Sequence, residues 1–173
     1  MKLLVTGGLG FIGSNFILKL LNETNEFDII NVDAELYGAN KKNLDAIKNH
    51  KKYEFVKGNI TNKRLMEELI SKCDAVVNFA AESFVDRSIN NADPFLVSNI
   101  RGAFTILDII TKQKKRMIQI STDEVFGSLS TGAADEQTKF NPSSPYAATK
   151  AAAELLINSF SVTYNPDVVI TRC

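Results

Sequence analysis

The sequence predicts a doubly wound α/β fold, a parallel sheet of about six strands with helices on both faces. Three observations carry that prediction. The chain has 173 residues, 45% hydrophobic and 23% charged, which suits one domain with a sizeable core. Short apolar runs of strand length alternate with amphipathic stretches from end to end. The first run leads straight into a glycine-rich turn that opens a helix. Strands separated by helices imply parallel pairing and a sheet covered on both faces.

Leu3–Val5 reads as the first buried strand. Phe11–Leu21 follows as a helix, with apolar residues at 11, 12, 16, 17, 20 and 21. Phe27–Val32 is the second strand and Asn43–Asn49 a short helix. Tyr53–Val56 is the third strand, Asn62–Ser71 a helix and Ala75–Phe79 the fourth strand. Pro94–Thr111 reads as one long helix, with Asp93 in a capping position. Met117–Ser121 is the fifth strand. Residues 127–145 form a loop rich in Ser, Thr, Gly and Pro, Tyr146–Val162 is a long Ala-rich helix, and Val168–Thr171 is the sixth strand. Six such strands fit the order 3-2-1-4-5-6. There is no internal repeat, linker or low-complexity segment, and the arrest at the sixth strand suggests that a closing segment is missing.

Composition narrows the function. Twenty basic and twenty acidic residues give zero formal charge, which disfavours a nucleic-acid or membrane-surface partner. The basic run Lys112–Arg116 reads as a solvated helix end, where cations suit the dipole. Two cysteines, Cys73 and Cys173, and one histidine leave no zinc pattern, so no metal is expected. Cys73 reads as a free thiol. His50 lies in a polar stretch, so acid–base work must fall to Tyr, Lys, Asp or Glu. The N-terminal apolar run is too short for a signal peptide or a membrane span, and a cytoplasmic location is the default expectation.

Gly7, Gly10 and Gly13 follow the first strand with the spacing Gly-x-x-Gly-x-x-Gly, and Phe11 and Ile12 begin the helix. The first glycine permits the turn, the second lets backbone approach a pyrophosphate, and the third seats the helix against the sheet. The helix N-terminus offers free N–H groups to phosphates. This is a Rossmann-type dinucleotide site. Asp33 ends the second strand twenty residues after Gly13. A carboxylate there accepts from the adenosine ribose hydroxyls and repels a 2′-phosphate, and no Arg or Lys follows before Lys41, so the expected cofactor is NAD. The alternative is a strand-end turn aspartate. Asn59, next to Ile60, either reaches the adenine edge or is an ordinary turn residue.

Tyr146 and Lys150 are four apart at a helix start and so share a face. A free tyrosine has a pKa near ~10, too high for a good base at neutral pH. A nearby ammonium and a cationic nicotinamide would favour the phenolate. Thr122, Asp123 and Glu124 leave the fifth strand, at the sheet end where such folds place their sites. Thr122 can bond the reacting oxygen together with Tyr146. Asp123 and Glu124 either form an acid–base pair in one cleft or serve as a cap and a solvated charge.

Thr6–Asn15, Asn78–Ile89, Ser121–Gly127 and Tyr146–Lys150 together resemble the dTDP-glucose 4,6-dehydratases, extended short-chain dehydrogenases that act on nucleotide sugars. The resemblance covers the whole chain but about half of such an enzyme, and Thr122-Asp123-Glu124 is its most specific motif. It implies tightly held NAD, with Tyr146 taking the sugar O4 proton and Thr122 polarising O4. Glu124 would take the C5 proton and Asp123 would protonate the departing C6 hydroxyl. It further implies that Ala80 and Ala81 line the cofactor path and that Asn99 sits near the nicotinamide ribose or stabilises its helix. Glu82 and Ser83 would face the sugar of dTDP-glucose, with Arg87 behind them. The helices 94–111 and 146–162 would pair in a homodimer, unless they serve the intrachain core alone. Three positions depart from the family: Phe84 stands where His is usual, Asn59 where Asp is usual, and Phe126 where Tyr is usual. A segment beyond Arg172 that binds the nucleotide is also expected, so a truncated chain that holds NAD but turns over poorly or not at all is the expectation. A nucleotide-sugar 4-epimerase, a UDP-sugar dehydratase and a non-enzymatic NAD-binding module are the alternatives.

Overall fold

The computed structural model describes residues 1–173. Its strands are β1 (Lys2–Thr6), β2 (Asp28–Asp33), β3 (Tyr53–Lys57), β4 (Ala75–Asn78), β5 (Arg116–Ser121) and β6 (Val168–Arg172). They form one sheet in the order β3-β2-β1-β4-β5-β6, and every neighbouring pair is parallel. The helices are α1 (Phe11–Glu23), α2 (Lys63–Ser71), α3 (Val85–Asn90), α4 (Asp93–Phe95), α5 (Ala103–Gln113) and α6 (Pro145–Tyr164), with 3-10 turns at Lys41–Ile47 and Asp123–Phe126.

Strand pleating sends alternate side chains to opposite faces. Leu4, Ile30, Val76 and Met117 join one core with Met66 and Ile70 of α2, Ile106 and Ile110 of α5, and Ile157 of α6. Leu3, Val5 and Ile29 join the other, with Ile17 and Leu21 of α1 and with Leu44 and Ile47 of the first 3-10 turn. A buried polar chain ties the central strands together near their carboxyl ends. Thr6 Oγ1 donates to Asn78 Oδ1 at 2.5 Å, and Asn78 Nδ2 donates to Gln119 Oε1 at 2.8 Å. Satisfied in this way, polar groups can be buried there, fixing the register beneath the site.

The expected long helix is continuous from Asp93 to Gln113 but is not one regular α-helix. Residues Leu96–Gly102 form a π segment between α4 and α5. An amphipathic pattern cannot reveal this single-residue expansion, which commonly marks functional sites. Asp93 is not the cap. It is the first helical residue, Ala92 precedes it as N-cap, and Asn91 Oδ1 accepts the Asp93 N–H at 3.1 Å. The basic run is split as well. Lys112 lies in the last turn of α5, Lys114 ends that helix in the left-handed region, and Arg116 begins β5. Helix α3, only six residues long, carries too few turns to show a period and has no counterpart among the elements expected from the sequence. Cys73 is a buried free thiol.

Candidate active site

The site follows from the strand order. Between β1 and β4 the winding reverses, so loops diverge and leave a crevice beyond the carboxyl ends of the strands. The cleft found there has a volume of about 390 Å³. Gly7, Gly10, Phe11, Ile12 and Gly13 line one side, and Asp33, Asn59 and Ile60 line the end over β2 and β3. Ala80, Ala81, Glu82 and Ser83 border the middle, while Thr122, Tyr146 and Lys150 line the far end.

The glycine loop is built for close approach. Gly7 has φ +70, and a Cβ on it would lie 2.6 Å from backbone N and Cα of Ala80. A Cβ on Gly13 would lie 2.6 Å from the Gly7 carbonyl oxygen, so this glycine seats α1 against the turn. Gly10 caps α1 without a side-chain bond, and the Phe11, Ile12 and Gly13 N–H groups find no partner within the chain. Three unpaired donors and the positive end of a 13-residue helix therefore face the cleft, the arrangement that suits a pyrophosphate.

Asp33 is 9% exposed, and both its oxygens already accept backbone bonds, Oδ2 from Leu9 N at 3.0 Å and Oδ1 from Glu35 N at 2.8 Å. These two amides aim the carboxylate and leave lone pairs free for a ribose. The loop that follows adds Leu36, Tyr37 and Gly38 to the lining. Sequence reasoning missed these because a Tyr-Gly loop carries no periodic signal. Tyr37 meets Phe84 edge-on at 5.0 Å between ring centroids, and the Arg87 guanidinium lies 3.9 Å over the Tyr37 ring. Arg87 in turn donates to Glu82 Oε2 at 2.6 Å. Phe84, the apolar departure, thus helps to wall the cleft.

Pro145 begins α6, and its cap Ser144 accepts from Ala147 N, which fixes the turn carrying Tyr146. The Tyr146 N–H donates to Ser88 Oγ of α3 at 3.1 Å, so the missed helix positions the tyrosine. Burial pushes the Tyr146 phenol above its ordinary value; the neighbouring Thr122 hydroxyl opposes this, and the Glu124 and Asp123 carboxylates add to it. One turn on, Lys150 lines the same cleft as Tyr146, and its Nζ donates to the Ile120 carbonyl at 2.6 Å. Lys150 is 5% exposed, and burial pulls its ammonium down to about 8, with Glu154 working the other way.

Thr122 caps the 3-10 turn Asp123–Phe126, accepting from Glu124 N at 3.3 Å. Asp123 and Glu124 fall outside the cleft lining, and Asp123 borders an adjoining pocket with Arg172 and Asp135. Asn99 lies outside the cleft too. Its Nδ2 donates to Glu82 O at 2.9 Å and to Thr149 Oγ1 at 3.0 Å, and its Oδ1 accepts from Glu82 N at 2.9 Å. Every polar atom of the Asn99 side chain is spent bracing the Glu82 loop against α6, and it is Ser98, its neighbour on the π segment, that lines the cleft. No group of three His, Cys, Asp or Glu side chains is placed to hold a metal ion, and no helix is long and apolar enough to cross a membrane.

A glycine loop after β1, a carboxylate ending β2 and a Tyr–Lys pair beside a strand-end threonine define a Rossmann-type domain of the short-chain dehydrogenase class. More narrowly, the family model described as GDP-mannose 4,6 dehydratase matches residues 4–173, and the chain belongs to that family. It is 43% identical over 173 residues to the low-salt glycan biosynthesis protein Agl12 of Haloferax volcanii, covering 99% of this chain and 56% of that protein. It is 40% identical over 176 residues to the dTDP-glucose 4,6-dehydratase of Mycolicibacterium smegmatis, covering 100% of this chain and 53% of the relative. Among solved structures, DesIV of Streptomyces venezuelae, a dTDP-glucose 4,6-dehydratase with NAD and TYD bound, superposes with a TM-score of 0.96 at 40% identity. That match covers 100% of this chain and 55% of DesIV. The chain spans about half the length of the curated relatives it matches.

Proposed function

We propose that this chain is the cofactor-binding part of an NAD-dependent dTDP-glucose 4,6-dehydratase. The observation that carries the reading is the single cleft in which the open α1 amides and Asp33 lie at one end and Thr122, Tyr146 and Lys150 at the other. The pyrophosphate would lie on Gly7–Gly13, the adenosine ribose on Asp33 and the adenine near Asn59 and Ile60. Ala80 and Ala81 would flank the path to the nicotinamide. NAD, when bound, supplies the hydride acceptor and donor.

The chain's own residues then divide the proton work. Tyr146, its phenol held above the ordinary value by burial, needs the positive charge of a bound nicotinamide to act as base toward the sugar O4 proton. Thr122 bonds the same oxygen. Lys150 stands ready to leave the Ile120 carbonyl for the nicotinamide ribose. Glu124 takes the C5 proton and Asp123 protonates the leaving C6 hydroxyl, roles that require the Asp123–Phe126 turn to face a sugar seated beyond Thr122. Glu82 and Ser83 would hold that sugar. A homodimer through the 94–111 and 146–162 helices fits the exposed apolar side chains Val97, Phe104, Leu155 and Val162 on them. A cytoplasmic location goes with the reading.

Incubation of the protein carrying this chain with dTDP-glucose tests it. Mass spectrometry is expected to show loss of one water from the sugar nucleotide, and Tyr146→Phe is expected to lower the rate by at least about a hundredfold. Unchanged mass with inversion at C4 would point to an epimerase, and full turnover by Tyr146→Phe would overturn the role assigned to the tyrosine.

A further inference from the structure

We propose that Glu35 is a cofactor-selectivity residue: by engaging Lys41 and Lys57 it denies a 2′-phosphate its cationic partners, and so excludes NADP from the cleft. The inference rests on the reading that the cleft takes NAD.

The sequence shows no cation near Asp33 before Lys41, but the fold brings two. Lys57 stands opposite Asp33 in the β2–β3 register. Lys41 opens the 3-10 turn and lies 5.7 Å from the centre of the Phe55 ring on β3. A dinucleotide fold that accepts NADP places a cation at this strand end to receive the ribose 2′-phosphate. Left to themselves, these lysines would supply two.

Glu35 occupies both. Lys41 Nζ lies 2.7 Å from Oε1 and Lys57 Nζ 3.0 Å from Oε2. The lysines hold the Glu35 carboxyl below its ordinary range, Lys41 more strongly than Lys57. The position is structurally fixed. Glu35 has φ +57, a conformation uncommon outside glycine, and its N–H donates to Asp33 Oδ1 at 2.8 Å. One Asp33 oxygen therefore faces the glycine loop through Leu9 and the other faces Glu35. Formal charge at the strand end sums to zero over Asp33, Glu35, Lys41 and Lys57. A 2′-phosphate brings about two further negative charges, and it meets two carboxylates with their cations already paired. Without Glu35, the same four positions would carry one net positive charge and two free ammonium groups.

Calorimetric titration of the chain with NAD and separately with NADP, at low salt, tests the proposal. The chain is compared with Glu35→Gln and with Glu35→Asn, the second because asparagine suits left-handed backbone. Both variants are expected to bind NADP at least about tenfold more tightly than the parent, the scale of one added charge-assisted contact. NAD affinity is expected to stay within about threefold. The gain should shrink at high salt, and adding Lys57→Met to Glu35→Gln should reverse it. If all the proteins bind NAD and NADP affinity does not move in either variant, the role of Glu35 is overturned while the NAD reading stands. If the parent chain binds no NAD, the underlying reading fails and the proposal with it.

Discussion

Glu154 offers the sharpest stability prediction, because it is a fully buried carboxylate beneath the site. It lies one turn beyond Lys150 on α6 and is 0% exposed. Arg172 of β6 donates to it three times, from Nε to Oε1 at 3.2 Å, from Nε to Oε2 at 3.1 Å and from Nη2 to Oε2 at 2.6 Å. Ser121 Oγ adds a bond to Oε1 at 2.5 Å. The Arg172 side chain is only 20% exposed, so removing the carboxylate leaves a largely buried, unpaired guanidinium. Breaking such a pair from one side costs about 3–5 kcal/mol, a large share of the roughly 5–15 kcal/mol that holds a domain folded. For a chain of this size each kcal/mol shifts Tm by about 2–4 °C, so Glu154→Ala should lower Tm by about 6–20 °C. Thermal unfolding followed by circular dichroism reads this directly. Replacing both partners, Glu154→Leu with Arg172→Met, removes the unpaired charge and should recover most of the loss. A Glu154→Ala protein melting within about 2 °C of the parent, or a double variant as unstable as the single, would show that the buried pair does not carry this weight.

Other perturbations have equally definite outcomes. Gly7→Ala places a Cβ against the Ala80 backbone in a positive-φ turn, so it should cost about 1–3 kcal/mol in strain and abolish NAD binding in a calorimetric titration. Asn99→Ala leaves the Glu82 N–H and carbonyl without their partner; unfolding in urea should show a loss of about 1–3 kcal/mol for each buried group left unpaired. Stability should also rise with pH just above 8. Lys150 is held at about 8 in the folded chain against an ordinary 10.5, so between those values the unfolded state binds the extra proton and alkali favours the fold, by about 1 kcal/mol from pH 8 to 9. From about pH 9 the buried Cys73 thiol, raised to about 11 from 9.0, opposes this, because the unfolded thiol ionises first; the two effects cancel near about pH 10, above which Tyr146 adds to the loss. Melting curves of Lys150→Met should lack the rise, and those of Cys73→Ala should steepen it above about pH 9.

The sheet was legible in the sequence because its signal is local: strand-length apolar runs bounded by turns and helices, with a glycine loop announcing strand one. Most of the cleft lining followed, since Gly7–Gly13, Asp33 and Thr122 lie at the carboxyl ends of those strands and Tyr146 opens the helix that borders the same cleft. What stayed hidden depends on contacts far apart in the chain. Helix α3 is too short to show a period, yet its Ser88 holds Tyr146 across 58 residues. The π segment carries Asn99, which bonds both Glu82 and Thr149, long-range contacts that no amphipathic pattern encodes. Lys57 lies 24 residues beyond Asp33 in the sequence and is its register partner in the sheet. Spacing puts Lys150 on the same helix face as Tyr146 but cannot show that its buried ammonium is satisfied by the Ile120 carbonyl of a distant strand.

Everything proposed for this protein turns on one cleft that joins a dinucleotide site to a tyrosine starting chemistry at C4 of the sugar. The decisive experiment is turnover of dTDP-glucose carrying deuterium at C4, by the protein containing this chain. The expected product is lighter by one water, with the label moved to C6. Label remaining at C4 of an inverted sugar, or lost to solvent, would contradict the proposed chemistry.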